Sequence, residues 1–372
     1  MQTMQLDLIN GFRNPEHIKA LSKAIKKECK SKINVMEVCG GHTHTIMKFG
    51  LPQILPELIE FIHGPGCPVC IMPKERIDHA IALASMDDAI LATLGDMIRV
   101  PGSKTSLQKL RAEGRDIRSL YSPLDVLKIA KENPDKKVIF FAIGFETTTP
   151  MTASVLQECI KQDIKNLYFH INHVTVPEPI DAIMSGGDSR INAFLGPSHV
   201  SVITGYGIFE PISKRYNTPI VVAGFEPVDV MEGILMLVRQ FNNGICEAQN
   251  QYTRAVSKEG NINAQNLIDK YMDRRDHFKW RGLGDIKNSA LKLRGEYAKY
   301  DAEVVFDEIL SKEPIDDHKL CICGDILKGN AKPFDCKVFG KACTPNSPMG
   351  SCMVSSEGAC AAYYKYGQFI KE

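Results

Sequence analysis

The sequence predicts an α/β protein with two parallel-sheet, Rossmann-like domains and a small cysteine-rich domain at its C-terminal end. Three observations carry this. Short apolar runs, each closed by glycine or a polar turn, alternate with amphipathic stretches from about residue 13 to 320, the pattern of parallel strands covered by helices. At 372 residues, with 44% hydrophobic and 24% charged side chains, the chain is long enough for two or three domains with ordinary cores. Finally, six of its twelve cysteines fall between 321 and 360, where periodicity fades.

Strand candidates are 33–39, 59–63, 89–94, 138–143, 166–172, 200–204 and 219–223. Helix candidates lie near 13–30, 74–87, 104–113, 122–132, 150–162, 177–185 and 227–242. Three strand runs precede the gap at 101–136 and four follow it. The expected division is therefore 1–136 and 137–243 as two α/β domains, and 244–372 as a charged helical segment leading into the cysteine-rich domain. Gly144-Phe145-Glu146 and Gly224-Phe225-Glu226 echo one another, each after a strand and before a proline near a helix start. A shared strand-to-helix turn explains this better than duplication.

With 45 basic and 44 acidic residues and no basic field, nucleic acid is not an expected partner. There is no apolar run long enough to span a membrane, and the N-terminal residues lack the apolar core of a secretory signal, so a cytoplasmic location is expected. Thiols clustered in such a chain point to metal or redox chemistry rather than structural disulfides. The isolated Cys29, Cys159 and Cys246 read as buried small hydrophobes.

Ligands of open parallel sheets bind beyond the carboxyl ends of strands, so the residues following each strand are the candidates. After 33–39 comes Cys39-Gly40-Gly41-His42-Thr43-His44, a soft donor and two imidazoles on what reads as a flexible turn. After 59–63 comes Gly64-Pro65-Gly66-Cys67-Pro68-Val69-Cys70, with Pro73 opening a helix. A Cys-x-x-Cys pair placed there is favoured as thiolate, and so as a redox or ligating pair. After 138–143 come Glu146, Thr147, Thr148 and Thr149. Thr149 suits an N-cap, and Glu146 suits a general base or an orienting acceptor. Asp96, Asn172 and His173 end other strands. No Walker A, His-Glu-x-x-His, Gly-x-Ser-x-Gly or radical-enzyme three-cysteine signature is present.

Cys321, Cys336, Cys343 and Cys360 are separated by 14, 6 and 16 residues. Four such thiolates suit a [4Fe–4S] cluster or a structural zinc, and spacing does not choose between them. Cys323 and Cys352 add further donors, Cys323 as an alternative to Cys321.

Taken in order, the runs at 39–44, 64–70 and 144–148 and the C-terminal array closely resemble the HypD family of [NiFe]-hydrogenase maturation factors, over essentially the whole chain. The resemblance implies two α/β domains plus a small C-terminal Fe–S cluster domain, and a cytosolic scaffold on which an Fe(CN)2CO unit is assembled. It implies a [4Fe–4S] cluster on Cys321, Cys336, Cys343 and Cys360. Its implied partners are the chaperone HypC and the cyanide donor HypE. On this sequence it implies Cys39 as the iron ligand, His42 or His44 positioning the iron or a ligand proton, and Cys67 and Cys70 as a thiol–disulfide pair in contact with the cluster. Glu146, Thr147 and Thr148 would line the cleft. Whether catalysis belongs to this chain or to the complex stays open. The competing reading is a stand-alone Fe–S-dependent thiol–disulfide reductase, which gives Cys39, His42 and His44 no task.

Overall fold

The computed structural model describes residues 10–187, 189–313 and 315–367. Thirteen strands form along it: β1 (Ile33–Glu37), β2 (Ile59–His63), β3 (Ala89–Leu94), β4 (Ile117–Leu120), β5 (Lys137–Gly144), β6 (Leu167–His173), β7 (Ala193–Pro197), β8 (Ile220–Ala223), β9 (Ala248–Asn250), β10 (Met272–Arg274), β11 (His277–Trp280), β12 (Gly284–Lys287) and β13 (Leu291–Leu293). The expected α/β class with parallel sheets is what forms. One sheet has the order β2-β1-β7-β8-β9 and the other β4-β3-β5-β6, and every pairing in both is parallel.

The sheets do not follow the linear division at 136/137. β3 pairs with β5 across that boundary, Ala89 opposite Lys137, while β1 reaches forward to β7, Val35 opposite Ala193. The chain lays down β1 and β2, leaves to build the whole second sheet, and returns to finish the first. The physical reason is that β1 is a fully buried central strand and needs a neighbour on each side, one of which comes from far along the chain.

All seven expected helices form, for example Pro15–Glu28, capped by the Asn14 side chain on the amides of Glu16 and His17, and Lys74–Ala84 after Pro73. The segment 200–204 is not a strand. It lies in the helix Ser198–Thr204, and the strand is the preceding Ala-Phe-Leu-Gly-Pro run, ended by Pro197. The Gly40-Gly41 run is no flexible turn either. It opens the helix Gly40–Lys48, with Cys39 as N-cap. Thr149 and Pro150 are the first helical residues of Thr149–Lys161, so the cap position falls to Thr148. The charged segment after 264 holds the helix Ile262–Tyr271, then two small antiparallel pairs, β10–β13 and β11–β12, and then the short helix Ala302–Val305. The alternation His-Phe-Lys-Trp, with Phe278 and Trp280 buried, is strand periodicity inside a charged context.

Apolar clusters cover the outer faces of the two sheets separately. A larger one runs between them, from Met36 and Ile62 through Cys67–Met72 to Trp280 and on to Cys343, Cys352 and Cys360. The C-terminal region is therefore part of the central core. Cys29 and Cys159 are buried as expected, whereas Cys246 follows the helix Pro227–Asn243 and is half-exposed. Among the described residues no helix is long and apolar enough to cross a membrane.

Candidate functional site

In each sheet the connections turn opposite ways from a central pair of strands, β1 with β7 in one and β3 with β5 in the other. Such switch points leave a crevice beyond the strand ends. Cys39 follows β1 and His199 follows β7; Gly95 and Asp96 follow β3, and Phe145–Thr148 follow β5. A cleft of about 550 Å³ collects both sets: Gly66, Pro68 and Val69, Gly95 and Asp96, Ser119–Tyr121, Gly144, Phe145, Thr147, Thr148, His199 and Ser355–Glu357.

Cys39 is fixed by a buried carboxylate two residues before it. Glu37 accepts from the Cys39 amide at 3.2 Å and from the Thr43 hydroxyl, and its Oε1 lies 2.5 Å from His63 Nδ1. His63 in turn reaches the Tyr363 hydroxyl at 3.2 Å, tying the C-terminal helix Ala359–Tyr366 to this hub. The glycines are packing requirements. A Cβ at Gly66 would sit 2.2 Å from the Cys39 nitrogen, one at Gly40 2.3 Å from Glu357 Cβ, and one at Gly41 2.8 Å from the Phe225 ring.

The Cys39 sulfur is 1% exposed and lies 3.5 Å from His199 Nε2. Burial, reinforced by the Glu357 charge, pushes the thiol well above its ordinary range. Burial pushes His199 down to about 4, so the imidazole is neutral. A neutral thiol beside a neutral imidazole is a site that gains strongly from a cation replacing the thiol proton. His42 is fully buried, and its Nε2 donates to the carbonyls of Ala223 and Gly224 at 3.0 and 3.1 Å. Among the described residues its Nδ1 has no partner, and burial lowers its pKa to about 4. Phe225 is wedged between the His42 and His199 rings, with centroids 4.7 and 4.8 Å away, which gives the second Gly-Phe-Glu run its role.

Cys67 and Cys70 are buried and joined as a disulfide. The Ser351 hydroxyl donates to the Cys70 carbonyl at 2.7 Å, and Arg281 N–H donates to the Ile71 carbonyl at 2.8 Å. The C-terminal region is thus seated directly on the disulfide. It also reaches the cleft, through Ser355, Ser356 and Glu357.

Several of the C-terminal thiols lie close together. Cys321 and Cys323 sulfurs are 3.1 Å apart, and Cys360 hydrogen-bonds Cys323 with Cys352 nearby. Cys343 Sγ accepts from the Met349 amide at 3.4 Å. A Cβ at Gly350 would fall 2.7 and 2.8 Å from the Cys321 and Cys323 sulfurs, so glycine makes room for them. Cys336 stands at the edge, 3.8 Å from the Leu320 carbonyl. Among the described residues no three His, Cys, Asp or Glu side chains already share one coordination point.

The sequence-derived candidates separate accordingly. Thr147 and Thr148 line the cleft, and the Thr147 hydroxyl is buried without a partner. Glu146 does not line it. Its Oε1 accepts from the Val176 amide at 2.9 Å, its Oε2 has no partner among the described residues, and burial raises its pKa to about 8. His44 turns away from Cys39 to pack edge-on against Tyr366, beside Asp96 and Arg99. His199, Glu37 and Glu357 were not singled out by sequence. Glu37 lies within an apolar run and His199 just before one that forms a helix rather than a strand, whereas Glu357 carries no sequence signal.

The fold and site thus define a doubly wound α/β protein with a buried thiol–imidazole pair at one switch point, a disulfide beside it and a group of thiols behind. The chain belongs to the HypD family: the profile described as "Hydrogenase formation hypA family" matches residues 16–367. It is 50% identical to hydrogenase maturation factor HypD2 of Bradyrhizobium diazoefficiens, covering 96% of each chain. It is 51% identical to hydrogenase maturation factor HypD of Rhizobium leguminosarum bv. viciae, covering 90% of this chain and 88% of that one. With the HypD factor of Escherichia coli it shares 44% identity over 95% and 94%.

Proposed function

We propose that this chain is a cytoplasmic hydrogenase maturation factor, the scaffold on which iron receives cyanide and carbon monoxide before transfer to the hydrogenase. Iron is the cargo. The observation that carries the reading is the Cys39 sulfur at the β1/β7 switch point, buried 3.5 Å from a neutral His199 that itself lines the cleft where both sheets end. Cys39 binds iron as thiolate, and a cysteine of HypC supplies a second soft donor; HypE delivers cyanide. Soft donors suit an electron-rich iron that holds such ligands. His199 accepts the proton that Cys39 loses. The partnerless Thr147 hydroxyl, with Thr148, offers a hydrogen bond to an incoming ligand from the opposite wall. His42 holds the Ala223–Gly224 turn and so sets Phe225 against His199 rather than touching iron.

The thiol nest suits a resident [4Fe–4S] cluster: the sulfurs of Cys321 or Cys323, with Cys336, Cys343 and Cys360, would hold it, and when bound it supplies single electrons. Cys67–Cys70 takes up two electrons and two protons on opening to the dithiol. Its contact with Ser351 supports electron exchange with that region.

Infrared spectroscopy of the anaerobically purified complex with HypC tests the reading. Iron-bound cyanide and CO stretches should appear in wild type and vanish in Cys39→Ala. Wild type without such bands, but with a reducible Cys67–Cys70 pair, would support the stand-alone reductase instead.

A further inference from the structure

The side chain of Arg281 is buried, with the whole residue 2% exposed, yet it is poorly partnered. Its Nε lies 2.7 Å from Asp317 Oδ1 without hydrogen-bond alignment, and among the described residues Nη1 and Nη2 have no partner at all. Guanidinium groups are rarely left so, because an unpaired buried donor carrying charge loses its hydration without replacement. The Asp317 carboxylate is a third exposed and answers one edge of the fork only.

The backbone on either side shows where the residue sits. Arg281 N–H donates to the Ile71 carbonyl, the residue after Cys70. The next residue, Gly282, is pressed onto the Cys323–Gly324 backbone: a Cβ there would stand 2.4 Å from Gly324 Cα and 3.7 Å from the Cys323 carbonyl carbon. Gly282 has φ +77, so the turn depends on glycine. Arg281 is therefore held at the seam between the disulfide and the thiol nest.

Resting on the [4Fe–4S] reading above, we propose that Arg281 is a positioning residue of the cluster site, its free Nη donors hydrogen-bonding the anionic sulfurs and its charge stabilising the reduced cluster. Reduction adds one electron to an already anionic centre in a dry environment. A fixed cation there favours the reduced state and raises the reduction potential. The same residue touches the segment after Cys70, so the group that eases cluster reduction also sets its distance from the disulfide.

The test uses the full chain, purified anaerobically, with iron and acid-labile sulfide assayed and the cluster titrated by EPR. Arg281→Gln should retain iron and sulfide but need a more negative potential, with at least a tenfold lower reduced-to-oxidised ratio at a fixed potential, about 59 mV for one electron. Arg281→Lys, which keeps the charge, should recover most of the shift. A loaded Arg281→Gln with unmoved potential overturns the proposal and leaves the cluster reading intact. Wild type holding zinc, or no sulfide, overturns the cluster reading and this proposal with it. If Arg281→Gln does not accumulate, Asp317→Asn decides: freeing the guanidinium from its carboxylate should move the potential upward, and no movement overturns the proposal.

Discussion

Replacing Glu146 by glutamine should make the protein more stable in alkali, because the native carboxyl is buried in a place that suits its neutral form. One oxygen accepts from the Val176 amide and the other has no partner. Burial dominates the rise in pKa to about 8; the Glu178 charge adds to it and Arg274 opposes it, while those two pair with each other. The folded state thus keeps a proton that the unfolded chain, near 4.5, has released. Between those two values the native state binds more protons, so stability falls as pH rises and the whole cost is present above about 8. The full shift corresponds to a ceiling of about 5 kcal/mol, and the part between pH 6 and 8 to about 3 kcal/mol. Glutamine keeps the Val176 acceptor and does not ionise. Urea unfolding under anaerobic conditions at pH 6 and pH 9, on wild type and Glu146→Gln, should show the gap widening by that order in favour of the variant. A gap that stays constant refutes the buried, titrating carboxyl. Since Glu146 lies outside the cleft wall, the variant should keep the infrared bands as well.

Gly66→Ala should cost more than the usual 1–3 kcal/mol of overpacking, because the new methyl meets backbone of Val38 and Cys39 rather than a movable side chain; urea unfolding reads the loss, and the infrared bands should disappear with it. Glu303→Gln should cost about 3–5 kcal/mol near neutrality, since its carboxylate takes two bonds from Arg76 at 2.6 Å and two from Arg275, leaving two largely buried cations without their counter-charge. Burial alone would raise the Glu303 pKa, but Arg76 outweighs it and holds the carboxyl far below its usual range. The stabilisation is therefore present above about 4.5 and lost in acid, and unfolding of the two proteins should converge as pH falls.

The helices and the strand ends were legible because they obey local rules: Asn14 caps, Pro73 opens, and the runs at 89–94 and 138–143 are continuous apolar strands. Other elements were not, and four of them show why. β4, with the pattern Ile-Arg-Ser-Leu, is an edge strand with two polar residues and resembles loop. β9 is three residues long with no buried side chain. Val200–Thr204 reads as a β-branched strand, yet its residues follow Pro197, which ends β7, and the turn into a helix brings His199 to Cys39. Gly40-Gly41 reads as a breaker by propensity. The helix persists because Glu357 and Phe225 press against those positions, so tertiary packing overrides the preference. The same long-range contacts explain the site: Cys39, Cys67, Cys70, Thr147 and Thr148 were recognisable by chemistry, whereas Glu357 and His199 matter only through where the fold puts them.

That fold makes the order of assembly a functional matter. Were the chain divided at 136/137 into two successive sheets, Cys39 and His199 would belong to different domains and their 3.5 Å contact would rest on an interface. With the second sheet inserted between β2 and β7, both residues end adjacent strands of one sheet, held by the β1–β7 register of Val35 with Ala193 and Glu37 with Leu195. The inserted sheet can still present Asp96, Thr147 and Thr148 from the opposite wall. The C-terminal segment closes the arrangement with one short stretch: Ser351 binds the Cys70 carbonyl, Glu357 fills the space beside Gly40, and Cys360 joins the thiol nest. Ten residues thus couple the disulfide, the Cys39 site and the cysteine array. A displacement of that stretch would disturb all three at once, which is why the array cannot be treated as a detachable domain.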